Sequence, residues 1–425
     1  MKLKDKIDEI WQRKSVRQIA SLFSVNILGI PLGLVTNILV TRYMGAELFG
    51  DYKFICSVFN FGVLFATFGF FQAGNRAIIL SKNREETRSF YGAMHIILAA
   101  LFVLMSIGLL LFIRYDSNIA EKGLTAFFTS VIPFGFVYLW GNLYETILPA
   151  DNQIGLLAKL RLYPKLINLA VVALLYFYAN EVSSDRLLII LSLYTFTQFI
   201  LYLYVTFKVK PTLRSWKTQL REVYNQNKKF GLNVYFGALF AIGFAHLTEI
   251  LISVFGINNT EVGFYSLAIT FSQPLTFIPS TIATTHYRSF SSAKRISRKL
   301  INTTLILSIS SVLALWLLVP SFITYFYDKE FEPVIKINFL LCIAVFFYGI
   351  SDFYNRFLQA NGWGKELRNA SFAVGLTTLI GNLLFIPHFG ACGAAYARIT
   401  TGIVYLIIML YYYKKLVKIK ESGEA

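Results

Sequence analysis

Two ionisable residues stand three apart inside an otherwise apolar run, His246 and Glu249 in IGFAHLTEILISVF. At that spacing both side chains share one face of a helix. A carboxylate at mid-membrane costs about 2.5–3.5 kcal/mol on insertion scales, so it must face a cavity or a partner. Glu249 therefore reads as an ion-coupling site for a proton or another cation, with His246 tuning its proton affinity. A plain interhelical hydrogen bond is the alternative. Asp352 and Arg356, in GISDFYNRFLQANG, lie at i and i+4 with the acid first, the favourable order for a structural or gating ion pair.

Four further cations stand near or inside apolar runs. Arg42 and Lys53 flank the turn after the first run and Arg398 lies within the last, which allows an inward-facing cationic lining. Arg76, in FFQAGNRAII, has no acid close by in sequence; it either binds a lipid phosphate at the cytoplasmic mouth or serves only as a topology signal. Catalysis finds no support: the chain carries no Walker A, Gly-x-Ser-x-Gly or His-Glu-x-x-His pattern. Cys56, Cys342 and Cys392 form no CxxC and have no zinc-like spacing with His, so no catalytic residue, metal, disulfide or cofactor is expected.

The elements that must carry these residues follow from composition. The 425 residues are 56% hydrophobic and only 15% charged, with a mean hydropathy of +0.57, which is a membrane composition and leaves no room for a large soluble domain. A hydrocarbon core about 30 Å thick requires about 20 mostly apolar residues per helix. Such runs fall at 20–41, 54–75, 90–113, 123–146, 164–180, 187–207, 231–255, 263–285, 301–320, 335–357, 370–387 and 392–413. The basic start, MKLKDKIDEIWQRKSVRQ, resembles the beginning of a signal peptide, but the run after it is too long and lacks a small-residue cleavage site, so the amino terminus is expected to be retained.

Charge tests the count. The net charge of +17 would suggest nucleic acid on a soluble domain, but here the cations occupy gaps between apolar runs, and no nucleic-acid partner is expected. Alternate gaps and the two tails hold 32 of the 40 Lys and Arg. By the positive-inside rule, that alternation implies twelve spans with both termini in the cytoplasm. The longest basic gap, KVKPTLRSWKTQLREVYNQNKK, divides the chain into two lobes. The expected organisation is a basic segment at 1–19, helices 1–6 at 20–207, a cytoplasmic loop at 208–230, helices 7–12 at 231–413 and a tail at 414–425.

Two echoes favour duplicated halves. Gly50 and Tyr52 in AELFGDYKF match Gly263 and Tyr265 in NTEVGFYSL, and Leu148 and Ala150 in LPADNQ match Leu358 and Ala360 in LQANGW at nearly the same offset. Pro31, Pro274 and Pro279 fall inside apolar runs, where each removes a backbone donor and is expected to kink its helix.

With these elements in place, three segments resemble the polysaccharide biosynthesis flippases of the multidrug/oligosaccharidyl-lipid/polysaccharide exporter superfamily. They are TRYMGAELFGDYKF (41–54), TEVGFYSLA (260–268) and FLQANGWGKELRNASFAVGLTTLIGNLLFIPHFGACGAAYA, which closes on Pro387, Gly390, Gly393 and Ala394. The resemblance implies an all-α polytopic membrane protein with two six-helix lobes around a central cavity. It implies a flippase of the bacterial inner membrane that moves undecaprenyl-pyrophosphate-linked oligosaccharide outward by alternating access, with ion coupling at an acidic residue of helix seven, where Glu249 stands. Lipid II flippases have helices beyond the twelfth, so a chain ending at Ala425 points to the O-antigen or capsule type. Partners would be the lipid-linked glycan, membrane lipid and other polysaccharide assembly proteins, and a monomer is expected. A multidrug antiporter of the same superfamily would have a less cationic cavity. A membrane glycan polymerase would need a large external catalytic loop, and the gaps here are short.

Overall fold

A computed structural model describes residues 14–178, 186–239 and 244–422, and every regular element among them is helical. Among the described residues, eight helical segments are long and apolar enough to cross a membrane, which makes this a multi-pass membrane protein. Only helices of this kind can satisfy their own backbone groups in lipid. Their hydroxyl side chains do the same locally: Thr41, Thr195 and Thr401 each donate to a carbonyl one turn earlier in their own helix, at 2.8, 2.7 and 2.8 Å.

The chain forms two compact units. The first comprises the residues up to Met44 together with Phe59–Phe236, and the second Gly45–Val58 with Gly237–Ala425. Helix α1 (Lys14–Ala66) passes from one to the other and back. Its dihedrals stay helical through Pro31 and break instead at Gly45, where φ is 77°. The run read at 54–75 is interrupted by a left-handed turn at Phe68 and Gly69, after which α2 (Phe70–Ile79) begins.

In the first unit follow α3 (Arg84–Tyr115), a short α4 (Ser117–Glu121), α5 (Thr125–Val131) and α6 (Gly135–Ile147), the last two joined by a 3-10 turn at Pro133. Helix α7 (Ile154–Tyr178) starts ten residues before the expected span and carries Lys159, Arg161 and Lys165 on its first turns; the end of that span lies outside the described residues. Helix α8 (Arg186–Val209) matches its expected run. The basic segment expected as a loop at 208–230 contains α9 (Trp216–Gln226), which continues through a π-turn at Asn227–Gly231 into α10 (Leu232–Ala238).

The second unit contains α11 (Phe244–Phe255), α12 (Thr260–Ser272), α13 (Phe277–Thr285), a short α14 (Tyr287–Ser292), α15 (Arg298–Phe326), α16 (Pro333–Ala360) and α17 (Gly364–Ser422). Pro274 opens a 3-10 turn between α12 and α13, and Pro279 sits in the first turn of α13, where its missing N–H needs no helical acceptor. The range of α17 holds two helices, its two legs, that meet at a non-helical break at Gly390 (φ 53°), at the turn expected between the two closing runs. The Glu261 carboxylate accepts the freed Ala391 N–H at 2.7 Å and caps the second leg.

Candidate functional site

The second unit brings three of the sequence-predicted charges together. Glu249 projects from α11, Lys53 from the leg of α1 after Gly45, and Arg398 from the second leg of α17. Lys53 and Arg398 are the charged neighbours of Glu249. All three are surrounded by protein on most sides yet remain partly accessible.

Each charge has a defined second partner. The Ser57 hydroxyl lies against Glu249 Oε2 and also 2.9 Å from the Lys53 carbonyl, so a single proton faces two acceptors. The Lys53 ammonium stands 5.1 Å from the Phe49 ring centre and 5.5 Å from that of Tyr52. The Arg398 guanidinium lies 5.5 Å over the Tyr348 ring and beside the Tyr265 hydroxyl, while its Nε is buried with no acceptor among the described residues. Two cations, one carboxylate, two phenols and one hydroxyl thus share a site with an excess of one positive charge. Such a set can hold a phosphate-bearing group, since guanidinium and ammonium both donate charge-assisted hydrogen bonds.

The packing that positions these groups uses small residues. A Cβ on Gly50 would lie 2.0 Å from the Asn259 carbonyl oxygen, and one on Gly263 would lie 3.1 Å from Gly50 Cα. The two Gly-x-Tyr echoes therefore pack on one another, and Gly at both permits the backbone approach. Asn259 Nδ2 donates to Asp51 Oδ1 at 2.8 Å beside this contact. Tyr265, two residues past Gly263, is thereby aimed at Arg398.

The remaining candidates fall elsewhere. His246 is half-buried one turn before Glu249, with no hydrogen bond between them among the described residues. Asp352 accepts from the Tyr405 hydroxyl at 3.0 Å, and Arg356 donates to Gln359 at 3.2 Å, so their expected ion pair does not close. The physical reason is that α17 packs tightly along α16 and brings a neutral donor to the carboxylate that the sequence spacing could not show. Arg42 and Arg76 lie in the first unit, both exposed, with Arg76 5.7 Å over the Phe230 ring. Ser57, Tyr265 and Tyr348 were not singled out as site residues. Only Tyr265 carried a signal, as part of a repeated motif.

Residues 15–293, more than half of the chain, match the polysaccharide biosynthesis protein family. No curated protein matches. Among solved structures, the lipid II flippase MurJ in an inward closed conformation aligns with a TM-score of 0.72 at 16% identity, over 94% of this chain and 89% of that one. An inward-facing multidrug resistance MATE family transporter of the MOP superfamily aligns at 0.67 and 14% identity, over 96% and 99%. A MOP superfamily transporter from Pyrococcus furiosus aligns at 0.54 and 14%, over 95% of each chain. At these identities the likeness is one of fold, and the proteins that share the fold are transporters and flippases rather than enzymes. The chain belongs to the polysaccharide biosynthesis protein family and has the helical fold of the MOP-superfamily transporters.

Proposed function

We propose that this protein flips undecaprenyl-pyrophosphate-linked oligosaccharide repeat units from the inner to the outer leaflet of the bacterial cytoplasmic membrane. It does so by alternating access, as a twelve-span protein with both termini in the cytoplasm. The observation that carries this reading is the pair of cations set against a single carboxylate, Lys53 and Arg398 beside Glu249, inside a protein of a polysaccharide biosynthesis family. A pyrophosphate brings the negative charge that this site lacks, and the buried Arg398 Nε is a donor without an acceptor among the described residues.

Glu249 gives the site a reason to respond to protons. When the carboxyl is protonated it donates to Ser57, and Ser57 in turn donates to the Lys53 carbonyl, so every group in the chain is satisfied. When it is ionised it accepts a hydrogen bond from the Ser57 hydroxyl and neutralises one of the two cations. Protonation of Glu249 thus frees Lys53 and Arg398 for the pyrophosphate, and the substrate and the carboxylate charge compete for the same partners. Tyr265 and Tyr348 hold the Arg398 guanidinium in place from two sides. His246 is assigned to the environment of Glu249.

The test is the sidedness of polyprenyl-linked oligosaccharide after depletion of this protein. Build-up on the cytoplasmic face with loss of surface glycan, restored by the wild-type chain and not by Lys53→Gln/Arg398→Gln expressed at the same level, is the expected result. Normal sidedness on depletion would overturn the proposal and move the reading to export of small solutes.

A further inference from the structure

The basic segment between α8 and α10 has a feature that transport of a glycan does not call for. Between Lys208 and Lys229 it carries seven Lys and Arg against one acid, Glu222. Its helix α9 packs on α2 and α3, and Gln219 and Val223 form the buried face. At 100° per residue the opposite face presents Lys217, Arg221 and Tyr224, and Lys228 follows in the π-turn, all exposed. No carboxylate among the described residues pairs with Lys217, Arg221 or Lys228, whereas Arg214 at the start of the segment is held by Glu85 at 2.5 Å. Aromatic rings are interleaved with the charges: Lys217 lies 5.5 Å from the Trp216 ring centre and Lys228 4.6 Å from that of Tyr224.

The chain also holds this helix close to a bilayer face. Six residues separate the end of the membrane-length helix α8 at Val209 from Trp216, a reach of at most roughly 20 Å when fully extended. The intervening strap is docked: Thr212 N–H donates to the Arg88 carbonyl at 3.0 Å, and a Cβ on Gly92 would meet the Thr212 carbonyl oxygen at 2.1 Å. Arg88 and Gly92 lie in the first turns of α3, itself long and apolar enough to span. Leu213 and Phe230 are exposed around the helix together with Trp216 and Tyr224, the last two being the amphipathic types that settle at headgroup depth.

We infer that α9 is a docking surface for the anionic phospholipid headgroups of the adjoining leaflet, with Lys217, Arg221 and Lys228 meeting the phosphates and Trp216 and Tyr224 lying among the headgroups. The chemistry is that of a juxtamembrane polybasic segment, in which each cation near an anionic surface strengthens binding about fivefold. This surface is independent of what the protein transports.

The test uses the full-length protein in detergent, titrated with phosphatidylglycerol or phosphatidylcholine and read by native mass spectrometry. Wild type is expected to prefer phosphatidylglycerol, and Lys217→Gln/Arg221→Gln/Lys228→Gln to lose that preference by about a hundredfold. Lys217→Arg/Lys228→Arg should retain it. Thermal unfolding of the triple variant should match wild type, because all three side chains are exposed. A second triple, Lys294→Gln/Arg295→Gln/Lys299→Gln, neutralises an equally exposed basic stretch of the other unit and should retain the preference. Unchanged phosphatidylglycerol binding in the α9 variant would overturn the inference, as would an equal loss in the second triple. So would intact lipid binding together with capture of an acidic protein by a crosslinker at Asn225→Cys.

Discussion

The two units treat charge in opposite ways. In the first, carboxylates meet cations at the periphery: Arg84 with Asp151 and Arg161 with Glu145 at 2.6 Å, and Arg214 with Glu85 at 2.5 Å. The Arg161–Glu145 and Arg214–Glu85 pairs are open to solvent or headgroups, and pairs of that kind contribute about 0–1 kcal/mol each, while Asp151 is mostly buried and also accepts from Tyr91. In the second unit the charges are interior and unequal, with Lys53 and Arg398 around one Glu249. An interior charge is costly unless paired, so an imbalance there requires an explanation that a peripheral pair does not. On the proposed function, the interior imbalance places the pyrophosphate in the second unit, while the three peripheral pairs of the first unit are matched within themselves.

The largest effect expected from this contrast is at Glu249. Glu249→Ala leaves two interior cations without their carboxylate and should destabilise the protein by about 3–5 kcal/mol, read as a fall in thermal midpoint in detergent. Glu249→Gln keeps the Ser57 contact and should fold, but it removes the proton that exchanges at this site. Flipping measured in vesicles should then lose its pH dependence. A Glu249→Gln variant with an unaltered pH profile would remove Glu249 from coupling and leave the carboxylate a structural role.

Next in size are the glycines that hold the site's elements together. Gly50→Ala sets a methyl 2.0 Å from the Asn259 carbonyl oxygen, and backbone must move to admit it. A cost of about 1–3 kcal/mol follows from overpacking, measured as a lowered unfolding midpoint. Gly390→Ala combines a positive φ with a Cβ 1.9 Å from the Glu261 carboxylate that caps the second leg of α17, and should cost about 1–2 kcal/mol in backbone strain alone. Equivalent alanines at Gly33 and Gly108 meet nothing within 4 Å and should be neutral, which makes them the control.

These same positions show what could be read before the structure. Glu249 and Arg398 were legible because a lone charge in an apolar run has few explanations. The repeated motifs were legible as letters, and the structure supplies their physical content. Gly50 packs on Gly263, and the turns at 148–153 and 358–363 both pass through a left-handed residue, Asn152 at φ 54° and Gly362 at φ 79°. Ser57 and Tyr348 were illegible, since a hydroxyl or phenol in an apolar helix is ordinarily satisfied by its own backbone or by an interface. The Asp352–Arg356 pairing failed because sequence spacing reports neighbours on one helix and cannot weigh the Tyr405 hydroxyl arriving from another. Helix α9 was read as loop because its buried face is only Gln219 and Val223, too little apolar periodicity to stand out among seven cations.

The smallest effect tests the other side of the comparison. Arg161 donates through Nε and Nη2 to both oxygens of Glu145, and the two side chains are 36% and 42% exposed. Burial there is slight, so the attraction is screened by solvent and salt and opposed by the entropy of holding two long side chains. Arg161→Gln should change stability by less than about 1 kcal/mol and leave flipping and its pH profile as in wild type. A loss of flipping with the midpoint unchanged would mean that the first unit's matched charges also handle the substrate, and the assignment of the anion to the second unit alone would fail.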